Sequence, residues 1–296
     1  MEVRRFNNNP IIRPEMLPDD DGENINGPSL IAAPNWIEKP LGRYYLYFAH
    51  HGGQYIRLAI ADELAGPWRI YKPGTLRLEQ APCLLHVASP DIHVDDDKRE
   101  LRMYYHGCQY AQDGKTVRQF TYVATSSDGL NFTSLQQALG DFYFRVFHWQ
   151  GAYYCCCKAG QFMRSPDGIA PFERGPKLLQ ASSDSIIPRH MALQIRGNLL
   201  RVFYSRIGDC PERILLSEID ISEDWKKWQS SPPTTILSPE LDYEGVNTPH
   251  VPSSSGRVVE PVYQLRDPAI YEDDGRTYLL YSVAGESGIA IGELIE

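Results

Sequence analysis

Two aspartates adjoin prolines, Asp91 in Ser89-Pro90-Asp91-Ile92 and Asp267 in Arg266-Asp267-Pro268-Ala269-Ile270, and a third carboxyl, Glu286, stands in Gly285-Glu286-Ser287. Paired carboxyls suit the cleavage of acetal bonds, one protonating the leaving oxygen while the other activates water or attacks carbon. Asp is also a common turn residue, so neither aspartate carries much alone. His190 can move a proton near neutral pH, or simply hydrogen-bond. His50, His51, His106 and His190 come from separate runs without the tight spacing of a metal motif, so no metal or other cofactor is expected beyond a structural ion on an axis. Arg145, Arg189, Arg206 and Arg266 offer forked donors to a carboxylate or phosphate, or neutralise Asp91, Asp267 and Glu286. Charge balance is the preferred reading.

These residues lie on a repeat. One aromatic, β-rich run recurs five times: Tyr44–Ala49, Leu101–His106, Tyr153–Lys158, Leu200–Ser205 and Tyr278–Val283. Such runs bounded by turns read as strands. Their starts are 57, 52, 47 and 78 residues apart, close to the periods of propeller blades. The long last interval holds a Pro/Ser-rich stretch, Ser230–Ser255, read as an insertion. Most runs have an upstream partner across a turn, as in Asp91–Val94 before Asp95-Asp96-Asp97-Lys98, and each has a third strand downstream. After four of the third strands an acidic turn leads to an aromatic that opens a fourth strand: Trp68, Phe132, Phe172 and Trp228. The fifth unit has no fourth strand of its own, and Glu2–Phe6 is placed to supply it, which removes an open edge. The expectation is an all-β, single-domain chain (1–296): a five-bladed β-propeller of four-stranded antiparallel blades, closed by an N-terminal strand. A two-sheet sandwich is the competing architecture.

The 296 residues carry a formal charge of −9, with no Lys/Arg cluster longer than a pair, so neither nucleic acid nor an anionic membrane is an expected partner. An uncharged carbohydrate suits this background, although a local basic pocket can still take an acidic sugar or phosphate. The six cysteines include the consecutive Cys155-Cys156-Cys157, whose side chains alternate between strand faces, and no C-x-x-C pair occurs. They are expected to be buried thiols without disulfides. The N-terminal residues lack the apolar core of a signal peptide, and a cytoplasmic location is expected. The oligomeric state is not legible.

Asn26–Ile31 leading to Gly42–Phe48, Ser89–Ile92, and Arg266–Ile270 with Asp273–Ser282 give the chain, across nearly its whole length, a form that resembles the five-bladed propeller glycosidases, particularly glycoside hydrolase family 43. Asn9–Ile12 also resembles the opening of the mannoside phosphorylases. The resemblance implies that inner strands begin at the substrate face, so that their starts and the ends of second strands meet in one funnel. That rule selects Glu23, Asn24 and Asn26, then Asp91, Arg145, Arg189, His190, Arg266 and Asp267. From second-strand ends it takes His50, His51, His106, Arg206 and Glu286. It puts Asp95–Asp97 and Glu272–Asp274 at the far end. Asp267 matches the family's base segment. The family's acidic Glu has no counterpart in Pro188-Arg189-His190-Met191, so Glu286 is the replacement general acid, with Glu23 second and Asp91 as an accessory carboxylate. Trp36, Tyr110 and Phe142 are candidates to stack on sugars. The expected activity is glycoside hydrolysis, by inversion. The alternatives are a phosphorylase with an Arg/His phosphate site and a sugar-binding propeller without catalysis.

Overall fold

The computed structural model describes residues 1–111, 113–179 and 186–296. Five antiparallel sheets follow one another along the chain and surround an axis. The inner, second and third strands of blade one are Asn26–Ala32, Tyr44–Ala49 and Tyr55–Ala61. Its outer strand is Arg69–Ile70, and Leu76–Arg77 extends the pairing along the third strand. Blade two comprises Val87–Asp95, Glu100–Tyr110, Val117–Ser126 and Thr133–Ser134, and blade three Arg145–Trp149, Ala152–Cys157, Gln161–Ser165 and Glu173–Lys177. In blade four these are Ile187–Arg196, Leu199–Ile207, Ile214–Asp220 and Thr234–Leu237. Blade five takes Arg266–Asp273, Arg276–Ser282 and Ile289–Ile295 from the C-terminal end, and Glu2–Arg5 from the other end of the chain.

That closure follows the expectation, with Val3 opposite Leu294 and Arg5 opposite Gly292. It also has a polar lock. The buried Glu244 carboxylate accepts from Arg5 Nε at 2.8 Å and Nη2 at 3.1 Å, and from the Tyr281 hydroxyl at 2.9 Å. One part of the reading needs correction. Thr234–Leu237 lies inside the stretch taken for an insertion, yet it is the outer strand of blade four, paired with Ile214–Leu216. The excursion proper begins after it.

The aromatic runs explain why blades stack. Side chains alternate across each strand, so both faces of a blade are apolar and each must meet a neighbour. Five buried clusters occupy the five interblade spaces. Tyr45, Tyr47, Tyr105 and Tyr122 fill the space between blades one and two, for example. Each such ring contributes roughly 1.5–3 kcal/mol by leaving water. The Asp-Gly turns add a repeated staple: Tyr47 donates to the Gly129 carbonyl at 2.8 Å, and Tyr104 to the Gly168 carbonyl at 3.0 Å. Only glycine fits there. Both have φ 74°, and a Cβ on Gly168 would stand 2.6 Å from the Tyr104 oxygen.

All six cysteines are free thiols, five of them at least partly buried and Cys210 exposed. No helix among the described residues is long and apolar enough to cross a membrane.

Candidate active site

Each inner strand enters the axis through one residue with positive φ: Gly27, Ser89, Tyr143, His190 and Asp267, at 60°, 50°, 64°, 51° and 46°. In blades one, two, four and five a β-bulge coincides with it. A left-handed tyrosine, histidine or aspartate costs on the order of 1–3 kcal/mol, a strain that collects at functional sites. These five residues form the upper ring. The register of the second strands gives a companion ring, Ala49, His106, Ser205 and Ser282, joined in blade three by Lys158, which lies just past its strand with its amide on the Phe142 carbonyl at 3.3 Å.

Around Asp267 the charges alternate. Arg189 forks onto the fully buried Glu212, with Nε 2.8 Å from Oε1 and Nη2 on Oε2. Arg266 Nε lies 3.6 Å from Glu212, and its Nη1 donates to Glu286 Oε1 at 3.0 Å. His51 Nδ1 is 3.6 Å from the same oxygen, while Asn24 and the Val258 amide donate to Glu286 Oε2. Burial pushes the Glu286 carboxyl up, but His51, Arg266 and Asn24 outweigh it and bring the pKa down to about 2. Asp267 has the opposite fate. Burial and the negative charge of Glu286 overcome Arg266, Arg189 and Arg145 and raise it to about 7. Its Oδ1 is 3.4 Å from His190 Nδ1, and its Oδ2 has no hydrogen-bond partner among the described residues.

His190 and His106 are both held neutral, well below the usual imidazole range, by burial and neighbouring positive groups. His190 is therefore a hydrogen-bonding group rather than a proton-donating imidazolium. Tyr143 packs between the two, its ring 4.4 Å from His106 and 5.3 Å from His190. The charges of Asp267 and Glu286 add to burial in raising its phenol. Phe142 flanks it at 5.1 Å.

Asp91 and Asp267, both beside a proline near the start of an inner strand, do not hold equivalent blade positions. The equivalent of Asp267 is Ser89, and Asp91 lies two residues further along the strand. Its carboxylate accepts from the Val146 amide at 2.8 Å and pairs with His93 at 2.9 Å, in a lower cavity of about 210 Å³ with Ser29, Ala192 and Ala269. Burial pushes it up, but His93, Arg145 and the Val146 amide leave it lowered. Arg145 spans the axis between the layers. Its guanidinium donates to the carbonyls of Met191 at 3.1 Å, Phe144 at 3.2 Å, Pro90 at 3.3 Å and Ser89 at 3.4 Å.

The remaining candidates divide by distance from the axis. Asn26 donates to Asn24 at 2.9 Å, and Asn24 accepts from the His51 amide at 2.7 Å, which builds the Glu286 wall. Glu23 pairs with Arg257 at 2.8 Å on the rim, where His50 shares a cavity of about 510 Å³ with Asp21 and Tyr55. Burial and Arg57 lower His50 to about 4. Arg206 forks onto Asp209 at 3.1 and 3.0 Å, outside the chain of charges. Trp36 donates to Asp96 at 2.9 Å at the lower face and cannot reach the upper ring, and Tyr110 is exposed. Phe142 does stand beside the upper ring, against Tyr143 and His106.

Sequence reasoning missed Tyr143, Glu212 and Lys158. Tyr143 and Lys158 had a signal, since both fall on the repeated ring positions. Glu212 follows Cys210-Pro211 in a loop and had none. The segment after Thr234–Leu237 also returns across the upper face: Ser253 pairs with Gly208 and Asp209, Gly256 accepts from Arg266, and Val258 joins Asn24 to Glu286.

No model of a known sequence family matches the chain. Solved structures share its fold. A thermostable family-43 glycoside hydrolase superposes with TM-score 0.64 at 15% identity, covering 92% of this chain and 90% of that one. RS223-beta-xylosidase does so at 0.62 and 13%, covering 93% and 94%. The Bombyx mori GH32 beta-fructofuranosidase BmSUC1 gives 0.58 and 16%, covering 92% of this chain and 59% of its own. At these identities the likeness establishes the five-bladed propeller shared with family-43 and family-32 glycosidases. In sequence, the uncharacterized protein R118 of Acanthamoeba polyphaga mimivirus is 36% identical over 97% of this chain and 89% of its own length, and the chain belongs to the family of that protein.

Proposed function

We propose that the chain cleaves a glycosidic bond in an oligosaccharide, with Asp267 as the proton donor and Glu286 as its partner, ionised at neutral pH before the step. The supporting observation is a pair of axial carboxyls whose surroundings drive their pKa values apart, to about 7 and about 2. Such divergence separates the acid from the base in carboxyl pairs. The roles are exchanged relative to the sequence reading, which made Asp267 the base and Glu286 the acid. A carboxyl with pKa about 2 holds no proton to give at neutral pH, whereas Asp267 is about half protonated there.

Asp267 passes its proton to the leaving oxygen as the bond breaks. The Glu286 charge favours the positive character that develops on the sugar and receives a proton from the attacking water. Inverting glycosidases in general hold their acid and base roughly 6.5–9.5 Å apart, leaving room for that water. His190 and Tyr143 orient sugar hydroxyls beside Asp267, and Phe142 offers a stacking face.

The test is release of reducing sugar from a panel of α- and β-linked oligosaccharides, with and without inorganic phosphate. Asp267→Asn and Glu286→Gln are each expected to lower kcat by about 10²-fold or more. Cleavage only with phosphate would replace water by phosphate as the acceptor. Sugar binding without cleavage by the wild-type chain would make it a binding module.

A further inference from the structure

Lys158 stands outside the alternating charges around Asp267. Arg189 and Arg266 lie against Glu212 and Glu286, but among the described residues no carboxylate lies within 4 Å of the Lys158 ammonium. The side chain is half-buried, with Nζ 4.7 Å above the centre of the Phe142 ring. Burial and the Arg189 charge lower its pKa. Among the described residues Arg189 and Arg266 are matched by Glu212 and Glu286, and Lys158 by neither. With Asp267 protonated, Lys158 adds a positive charge beside Arg189 with no ion-pair partner among the described residues, in a chain whose formal charge is −9.

The same two rings collect unsatisfied polar atoms. His106 Nδ1, Asp267 Oδ2 and the Ser282 hydroxyl are buried and find no hydrogen-bond partner among the described residues. Buried donors and acceptors are seldom left unmet, so their grouping here suits ordered water or a polar ligand.

Taking the upper ring around Asp267 as the substrate site of the proposed glycosidase, we propose that its substrate carries an anionic oxygen group, a carboxylate or phosphate, seated against Lys158. A neutral sugar would leave that ammonium desolvated and unpaired. An anion gains a charge-assisted hydrogen bond from Lys158, and the Phe142 face holds the ammonium in place.

Calorimetric titration of the full chain with glucuronate, inorganic phosphate and glucose tests this without turnover. Glucuronate or phosphate should bind at least about tenfold more tightly than glucose, with affinity falling as salt rises. Lys158→Met should reduce that ratio about tenfold or more, and Lys158→Arg should restore most of it. Preference for glucuronate identifies an acidic sugar; preference for phosphate identifies a free or sugar-borne phosphate. Glucose binding as tightly as both anions, no binding of either anion, or an unchanged ratio in a folded Lys158→Met chain each overturns the proposal. The wild-type comparison holds even if that variant does not fold. Anion binding by a chain that cleaves no glycoside would refute the glycosidase reading alone.

Discussion

Replacing Asp267 by Asn should stabilise the protein while it disables the site. The pKa rises from 3.8 to about 7 on folding, so the folded chain binds this proton more tightly than the unfolded chain. The sign follows directly: between those values the folded state carries more protons, and stability falls as pH rises. At 1.36 kcal/mol per unit the full effect is about 4 kcal/mol, present below pH 4 and lost above pH 7. About 2.5 kcal/mol of it disappears between pH 5 and pH 8. Asn keeps the size and hydrogen-bonding groups of the neutral carboxyl and cannot ionise, so it escapes that loss. Urea unfolding at several pH values should show the variant nearly equal to wild type at pH 4. It should be more stable by several kcal/mol at pH 8, with Tm up by about 5 °C or more. A variant equally or less stable at pH 8, or one whose advantage does not change with pH, would refute the claim that burial and Glu286 strain the ionised Asp267.

The catalytic rate should fall as pH rises through about 7, where Asp267 loses its proton, and a pH–rate profile of kcat/KM that keeps rising there would remove it as the donor. Glu244→Gln unlocks Arg5 and Tyr281 at the ring closure, and urea midpoints should show a loss of about 3 kcal/mol. Thiol titration in denaturant should count six free cysteines with or without prior reduction, and a lower count before reduction would contradict the free thiols of the structure.

Much of this was legible because a propeller repeats one short grammar. Tyr44–Ala49 and Leu200–Ser205 needed only their aromatic content and their spacing to be recognised as second strands, and Glu2–Arg5 followed from a blade that lacked its last strand. What escaped was fine register. Asp91 and Asp267 both neighbour proline, but one follows it and the other precedes it, and a bulge in each strand sets which residue turns to the axis. Tyr143 occupies an axial position, yet an aromatic beside Phe142 and Phe144 reads as core. Thr234–Leu237 was hidden by the Pro-rich sequence before it, because an edge strand tolerates a composition that an inner strand does not. The opposite shifts of Asp267 and Glu286, on which the proposed roles rest, depend on hydrogen bonds from Arg266 and Asn24 and on His51 beside Glu286, which three-dimensional contact alone decides.

The most direct measurement is product analysis of an oligosaccharide panel incubated with wild-type chain and with Asp267→Asn, both shown to be folded by their unfolding curves. The account predicts shortened glycosides from the wild type and turnover reduced about 10²-fold or more in the variant, despite its greater stability at pH 8. Equal cleavage by the two chains would contradict it.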